Sequence, residues 1–227
     1  MNMNINIKFD EQIAKTLPDF KMIEIEADVT NSETSEELWN ELIKEGERIK
    51  SLYPIETINK RLAIAATRNA YKKLGKEPNR YRPSAEALCR RVVKGMELYR
   101  INTLVDLINL ISIRSGYSIG GFDLDKIAGN ELILGVGKHD ENFEAIGRGP
   151  LNIEFLPIYR DAIGGIGTPT SDTERTKLTL STKRLLMTIN VYGEEMLIDD
   201  CIDYTIKHLE KYANAKNIEI SVKHISK

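Results

Sequence analysis

The chain has 227 residues, of which 41% are hydrophobic, with a formal net charge of -2 and a pI near 6.0. That is enough to bury one sizeable core, and neither a strongly basic nor a strongly acidic protein is implied. Two cysteines, Cys89 and Cys201, argue against a disulfide framework and lack the spacing of a metal site. No apolar run approaches the roughly 20 residues of a membrane span, and the opening "MNMNINIKFD" has neither the basic start nor the apolar stretch of a signal peptide. A cytoplasmic protein with no membrane partner is expected.

Along the chain, "INIKF" and "KMIEIEADV" alternate apolar and polar residues at period two, the pattern of half-buried strands at the edges of a sheet. Ser35 is placed to cap a helix through Leu38, Trp39, Leu42 and Ile49 that ends at Leu52, before Pro54. A second helix is expected over "ETINKRLAIAATRNAYKKL", closed by Gly75, with "KEPNRYRP" as a polar connection. Ser84 then caps a third, "AEALCRRVVKGMELYR", and "TLVDLINLISIR" forms a fourth before Gly116. The second half changes character. "NELILGVG", "FEAIG", "LNIEFLPIYR" and "RLLMTINVYG" read as strands between glycine, proline and aspartate turns. The helix "EEMLIDDCIDYTIKHLEKYA" and a strand or tail, "NIEISVKHI", close the chain. Helices segregated from a run of strands define an α+β domain, not a doubly wound parallel sheet.

The modest net charge hides an asymmetry. Between Lys60 and Arg100 lie twelve basic residues against three acidic ones, so about +9 sits there and about -11 elsewhere. Arg68, Lys72, Lys73, Arg80, Arg82, Arg90 and Arg91 are the RNA-binding candidates, with Tyr71, Tyr81 and Tyr99 interleaved for stacking. The competing reading is a pair of solvated helix faces balanced by acidic neighbours such as "ETSEELWNELIKEGE".

"GGIGTPTSDTERT" has the glycines of a ligand loop, yet the strand, glycine pattern and lysine of a P-loop are missing. Gly164, Gly165 and Gly167 suit an irregular wall whose amides face an anion, with Thr168, Thr170, Ser171 and Asp172 as polar handles. A turn between two strands is the alternative. His139, His208 and His224 are scattered, Cys89 sits on an apolar helix, and no nucleophile elbow is present. Neither a metal nor a cofactor is expected.

At "INTLVDLINLISIRSGYSIGGFDLDKI" the chain resembles the editing domain of the phenylalanyl-tRNA synthetase β subunit, built from modules B-three and B-four. The carriers are an Asn-rich helix opening "N-x-V-D-x-x-N" and the "F-D-L-D-K" at Phe122 to Lys126; downstream, "LPIYRDAIGGIGTPTSD" and "TKRLLMTINVYG" continue the likeness. It spans about residues 60–193, with 1–59 and 194–227 as peripheral elements of a single domain, and no aminoacylation module is present. The implied fold is helices packed on a mixed or antiparallel β-sheet sandwich. The implied activity is hydrolysis of a mischarged aminoacyl-tRNA in a pocket between the modules, here by a free-standing trans-editing protein.

Carried over by position, the family's pocket histidine corresponds to Gly120, a helix threonine to Ile108, and a glutamate that reads tyrosine to a position near Thr188; Asn109 is kept. A glycine in place of imidazole enlarges the pocket, and loss of a carboxylate removes the acceptor that reads a phenol. The chain offers its own polar set: Arg114, Arg148, Asp161, Asp172, Glu174 and Arg175. By resemblance, the 164–172 loop is a wall of this pocket, and the partner is the aminoacyl end of a tRNA. The alternatives are a non-catalytic module binding an amino acid or similar metabolite, and a protein-interaction module.

Overall fold

A computed structural model describes residues 5–225 of the chain; residues 1–4, part of the stretch read above for a leader, lie outside them. The elements run β1 (Asn6–Phe9), α1 (Glu11–Thr16), β2 (Lys21–Asp28), α2 (Glu36–Leu52), a 3-10 turn (Ile55–Lys60), α3 (Leu62–Leu74), α4 (Ser84–Val93) and α5 (Thr103–Ser115). After β3 (Ser118–Asp123) and β4 (Glu131–Val136) come the short β5 (Glu144–Ala145) and β6 (Gly149–Pro150). Then follow β7 (Pro157–Arg160), β8 (Gly165–Gly167), β9 (Arg184–Val191), α6 (Ile198–Ala213) and β10 (Lys216–His224).

One four-stranded sheet, in the order β10-β2-β9-β3, is antiparallel throughout. The other, β1-β4-β7-β8, is mixed, because β1 runs parallel to β4. Strand alternation sends β2 and β9 into two cores at once. Ile23, Ile25, Leu185, Met187 and Ile189 pack under Leu38, Leu42, Leu107, Leu110, Cys201 and Leu209 of the helices. From the opposite face, Met22, Phe122 and Leu186 meet Leu132, Leu134, Tyr159 and Ile166 between the sheets. The result is the expected α+β layering, with helices on a sandwich.

Local chemistry accounts for the elements that differ from expectation. Ser35 caps α2 as expected, accepting from Leu38 N–H at 3.2 Å. Ser84, however, is the first helical residue of α4, and its N–H reaches Pro169 O at 2.8 Å, tying the helix to the glycine-rich loop. The expected helix over residues 56–74 breaks at Arg61, whose guanidinium turns inward to Glu195 at 2.6 and 2.8 Å and to Ile113 O at 2.8 Å. The same Glu195 delays α6 to Ile198, as the amides of Glu195 and Met196 bond Tyr117 Oη at 3.2 and 3.3 Å. Gly95, at φ +71°, ends the helix that the sequence carries on toward Arg100. In "LNIEFLPIYR" only Pro157–Arg160 is strand, because Phe155 sits at φ +66°. Finally, β2 is an inner strand where an edge was expected.

The basic segment is also folded inward. Glu86, almost fully buried, receives Arg68 at 2.8 Å, Arg90 at 2.8 Å and Arg82 at 3.5 Å. Removing the carboxylate would strand the buried Arg68. Glu86→Ala is therefore expected to cost about 3–5 kcal/mol in urea unfolding, whereas Lys15→Ala, at an exposed pair with Glu11, changes stability by less than about 1 kcal/mol.

Candidate functional site

β3 lies at the edge of its sheet, so its outward amides need partners beyond β9. Asp123 N–H bonds Thr176 O at 2.9 Å, and Gly121 N–H bonds Asp172 Oδ2 at 3.1 Å. These bonds join the edge of the antiparallel sheet to the chain leaving β8, the edge of the mixed sheet. Beside the seam lies a cleft of about 440 Å³, within the usual range for a small-ligand site. One wall is apolar, from Leu88, Val105, Ile108, Ile119, Ile146 and Leu178. Its polar groups come from Ser84 at the start of α4, Asn109 on α5, Arg148, Thr168, Ser171, Asp172 and Lys177.

The aspartate is the unusual member. Its backbone is pinned by Ile146 N–H at 3.0 Å to its carbonyl and by a bridge to Gly167. Among the described residues, its carboxylate has only the Gly121 amide as a hydrogen-bond partner, so Oδ1 is unengaged. Burial pushes this carboxyl up to about 7, with the Gly121 hydrogen bond acting against it. Among the described residues, the side chains of Ser84 and Asn109 have no protein partner, nor does the guanidinium of Arg148.

Two glycines make room. A Cβ on Gly121 would stand 2.3 Å from Ile108 Cδ1 and fill the cleft wall, and one on Gly167 would meet Asp172 Oδ1 at 2.6 Å. Gly167 thus serves the aspartate, not a ligand approaching its amide. Thr168 closes the loop by accepting from Thr170 and Ser171 N–H, both at 3.1 Å.

Of the residues expected at the pocket, Asn109, Arg148, Thr168 and Asp172 line the cleft. The others are spent elsewhere. Gly120 and Thr188 are cross-strand neighbours, and a Cβ on Gly120 would meet Phe122 and Thr188 between the sheets. Arg114 stacks 4.7 Å over Tyr204 and pairs with Glu45 at 3.3 Å. Arg175 holds Asp161 through two bonds of 2.8 Å, beyond the cleft. Burial acts to raise the Asp161 carboxyl, but Arg175 and the amides of Ala128, Ile163 and Gly164 hold it below its ordinary range. Gly164 belongs to that turn, Gly165 packs under Ile158 and Phe143, Glu174 pairs with Lys177, and Thr170 is buried against Tyr71 Oη at 2.9 Å. Ser171, expected as a polar handle of the loop, also lines the cleft, and Ser84, Ser112 and Lys177 are the polar lining residues missing from the expected pocket set. No single residue signals them, since each is brought there by tertiary packing: Ser84 by the Pro169 tether, Ser112 by the seating of α5, and Lys177 by the seam along the β3 edge.

The expected RNA-binding set separates in the same way. Arg68 and Arg90 are drawn onto Glu86, with Arg82 at its margin; Arg91 stacks 4.3 Å from Tyr99 and donates to Glu97 O, and Tyr71 is buried. Lys72, Lys73 and Arg80 are exposed, without an ion pair among the described residues. Among the described residues no group of three His, Cys, Asp or Glu side chains could hold a metal, and no helix is long and apolar enough to cross a membrane.

The molecule is thus an α+β domain with a two-sheet cleft bounded by helices. The chain belongs to the B3/4 domain family, which residues 66–222 match. It is similar in structure to an N-terminal fragment of the phenylalanyl-tRNA synthetase β subunit from Pyrococcus horikoshii, at 14% identity and a TM-score of 0.49. That match covers 95% of this chain and 50% of the fragment, so this chain spans about half the length of its structural relative. No curated protein matches it.

Raising a carboxyl on folding has a consequence for stability. Asp172 moves from 3.8 to about 7, so the native state holds this proton more tightly than the unfolded chain, and wild type loses stability as pH rises between those values. Asp172→Asn cannot ionise. It is expected to be more stable than wild type by roughly 4 kcal/mol at pH 8, with most of the difference gone near pH 4, as measured by urea unfolding at both pH values.

Proposed function

We propose that this B3/4-domain protein hydrolyses the ester of a mischarged aminoacyl-tRNA in the cleft, in the cytoplasm and without aminoacylating tRNA itself. The observation that carries the reading is the pairing of an apolar wall with a polar seam holding an unengaged carboxylate. Ile108, Val105 and Leu178 suit an apolar aminoacyl side chain, which places the ester toward Asn109 and Ser84. Arg148 and Lys177 supply cations for the terminal phosphate. Strand alternation turns the amide of Ile119 to the same side as that of Gly121, providing a donor for the developing oxyanion.

A second reading, a metabolite-binding module without RNA, is favoured by the inward pairing of the basic segment on Glu86. Salt dependence separates the two. On the tRNA reading, a panel of mischarged tRNAs yields one or more species with an apolar aminoacyl group that the protein deacylates. Ile108→Trp, which fills the cleft, abolishes that turnover. Arg148→Ala weakens tRNA binding and reduces the slope of log K against log salt by about 0.7, the value of one phosphate contact on a single strand. Absence of turnover across the panel, with no salt-dependent tRNA binding, would leave the metabolite reading.

A further inference from the structure

Hydrolysis of an aminoacyl ester needs a group to take a proton from water, and the cleft contains neither a histidine nor a cysteine. Its only carboxylate is Asp172. Resting on the reading above, we propose that Asp172 is the general base of this site, its Oδ1 accepting a proton from the water that attacks the ester carbonyl.

Geometry supports the assignment first. The Gly121 amide holds Oδ2 at 3.1 Å, the bridge to Gly167 and the Ile146 hydrogen bond fix the backbone, and among the described residues Oδ1 has no protein partner. A side chain on Gly167 would occupy the space beside Oδ1, 2.6 Å from it, so a glycine there keeps that oxygen open. The charges around it are few. α4 and α5 contribute only the neutral Ser84, Asn109 and Ser112, and β3 an amide; Arg148 and Lys177 are the cations lining the cleft, with Lys177 paired to Glu174 at 2.5 Å. Tyr159 of β7 is close enough for the aspartate charge to oppose its ionisation. With no cation bonded to it, the carboxyl is held up by burial to about 7, where a base is both available and strong enough to work.

The step is balanced. A water O–H bond breaks as its proton passes to Asp172 Oδ1, and the water oxygen forms a bond to the carbonyl carbon while the carbonyl electron pair moves onto its oxygen. Collapse of this tetrahedral species reforms C=O and breaks the bond to the ribose oxygen, which takes the proton back from Asp172. The products are the free amino acid and a tRNA with its terminal hydroxyl restored, and the aspartate returns to its starting state.

The test is single-turnover deacylation by wild type and Asp172→Asn over pH 5 to 9, on whichever charged tRNA the panel identifies. Alongside it, the carboxyl carbon of Asp172 is titrated by carbon-13 NMR in the full chain. The expected result is a wild-type rate rising through a midpoint near 7 that matches the carboxyl titration. In Asp172→Asn the rate falls by about 100-fold or more and its pH dependence is lost, while KM is little changed. Urea unfolding confirms that the variant is folded. A variant with full rate, or an aspartate titrating in the ordinary carboxylate range, would overturn the assignment while leaving the deacylase reading intact. So would a loss confined to KM that disappears with an α-hydroxy ester lacking the amine, since the carboxylate would then be an ammonium ligand. Failure of wild type on every charged tRNA would overturn both.

Discussion

An edge strand must find partners for amides that no neighbouring strand accepts, and in this protein the edge of β3 makes the site. Gly121 and Asp123 are two residues apart and so turn their N–H groups to the same side, one to the Asp172 carboxylate and one to the Thr176 carbonyl. That seam brings the chain leaving the mixed sheet against the antiparallel sheet and opens the cleft beside α5. The β3 position facing the cleft is a glycine because Ile108 occupies the space a Cβ would need. The position that bridges Asp172 is a glycine because the carboxylate and the Phe122 ring lie against it. Candidate cleft and fold are therefore built by the same bonds, and among the described residues the half-buried Asp172 carboxylate is left with one hydrogen bond.

A second carboxylate, Glu86, does the opposite work. It draws guanidiniums from α3, α4 and the connection between them into one cluster, and so removes from the surface much of the charge concentrated in residues 60–100. Arg61 is consumed likewise by Glu195. At the cleft, Arg148 has no ion pair and Lys177 is paired with Glu174, while Lys60, Lys72, Lys73, Arg80 and Lys94 of the basic segment are exposed without an ion pair among the described residues. A larger groove of about 740 Å³ along the mixed sheet includes Asp10, Glu131 and Arg160, and these three are already engaged. Arg160 pairs with Glu141, Asp10 caps α1, and Glu131 pairs with Lys8.

What was legible in the sequence follows from how local each signal is. The caps of α2, α3 and α5 and the presence of strands β1, β2 and β9 are written within a few residues, and the structure carries them, but β2 and β9 are buried on both faces where alternation in β2 read as half-buried. The breaks at Arg61 and before Ile198 are long-range, since each depends on Glu195 meeting a residue far away in the chain. The site divides similarly. Asn109 and Asp172, expected from the family resemblance and the polar loop, both border the cleft. Asp161 and Arg175, equally polar and on the same loop, neutralise each other, a pairing that composition cannot reveal. Gly120 aligned with a pocket residue but faces the inter-sheet core, because in a strand one residue decides which face a side chain takes.

The central claim is that the Gly121–Asp172 seam is where this protein meets its ligand. Its most direct test is amide and side-chain chemical-shift mapping of the full chain with a non-hydrolysable aminoacyl-adenosine amide bearing an apolar side chain. Saturable shifts centred on Asn109, Gly121 and Asp172, and lost in Ile108→Trp, are the result expected. Shifts centred instead on the groove of Asp10 and Arg160, or none at millimolar ligand, would contradict it.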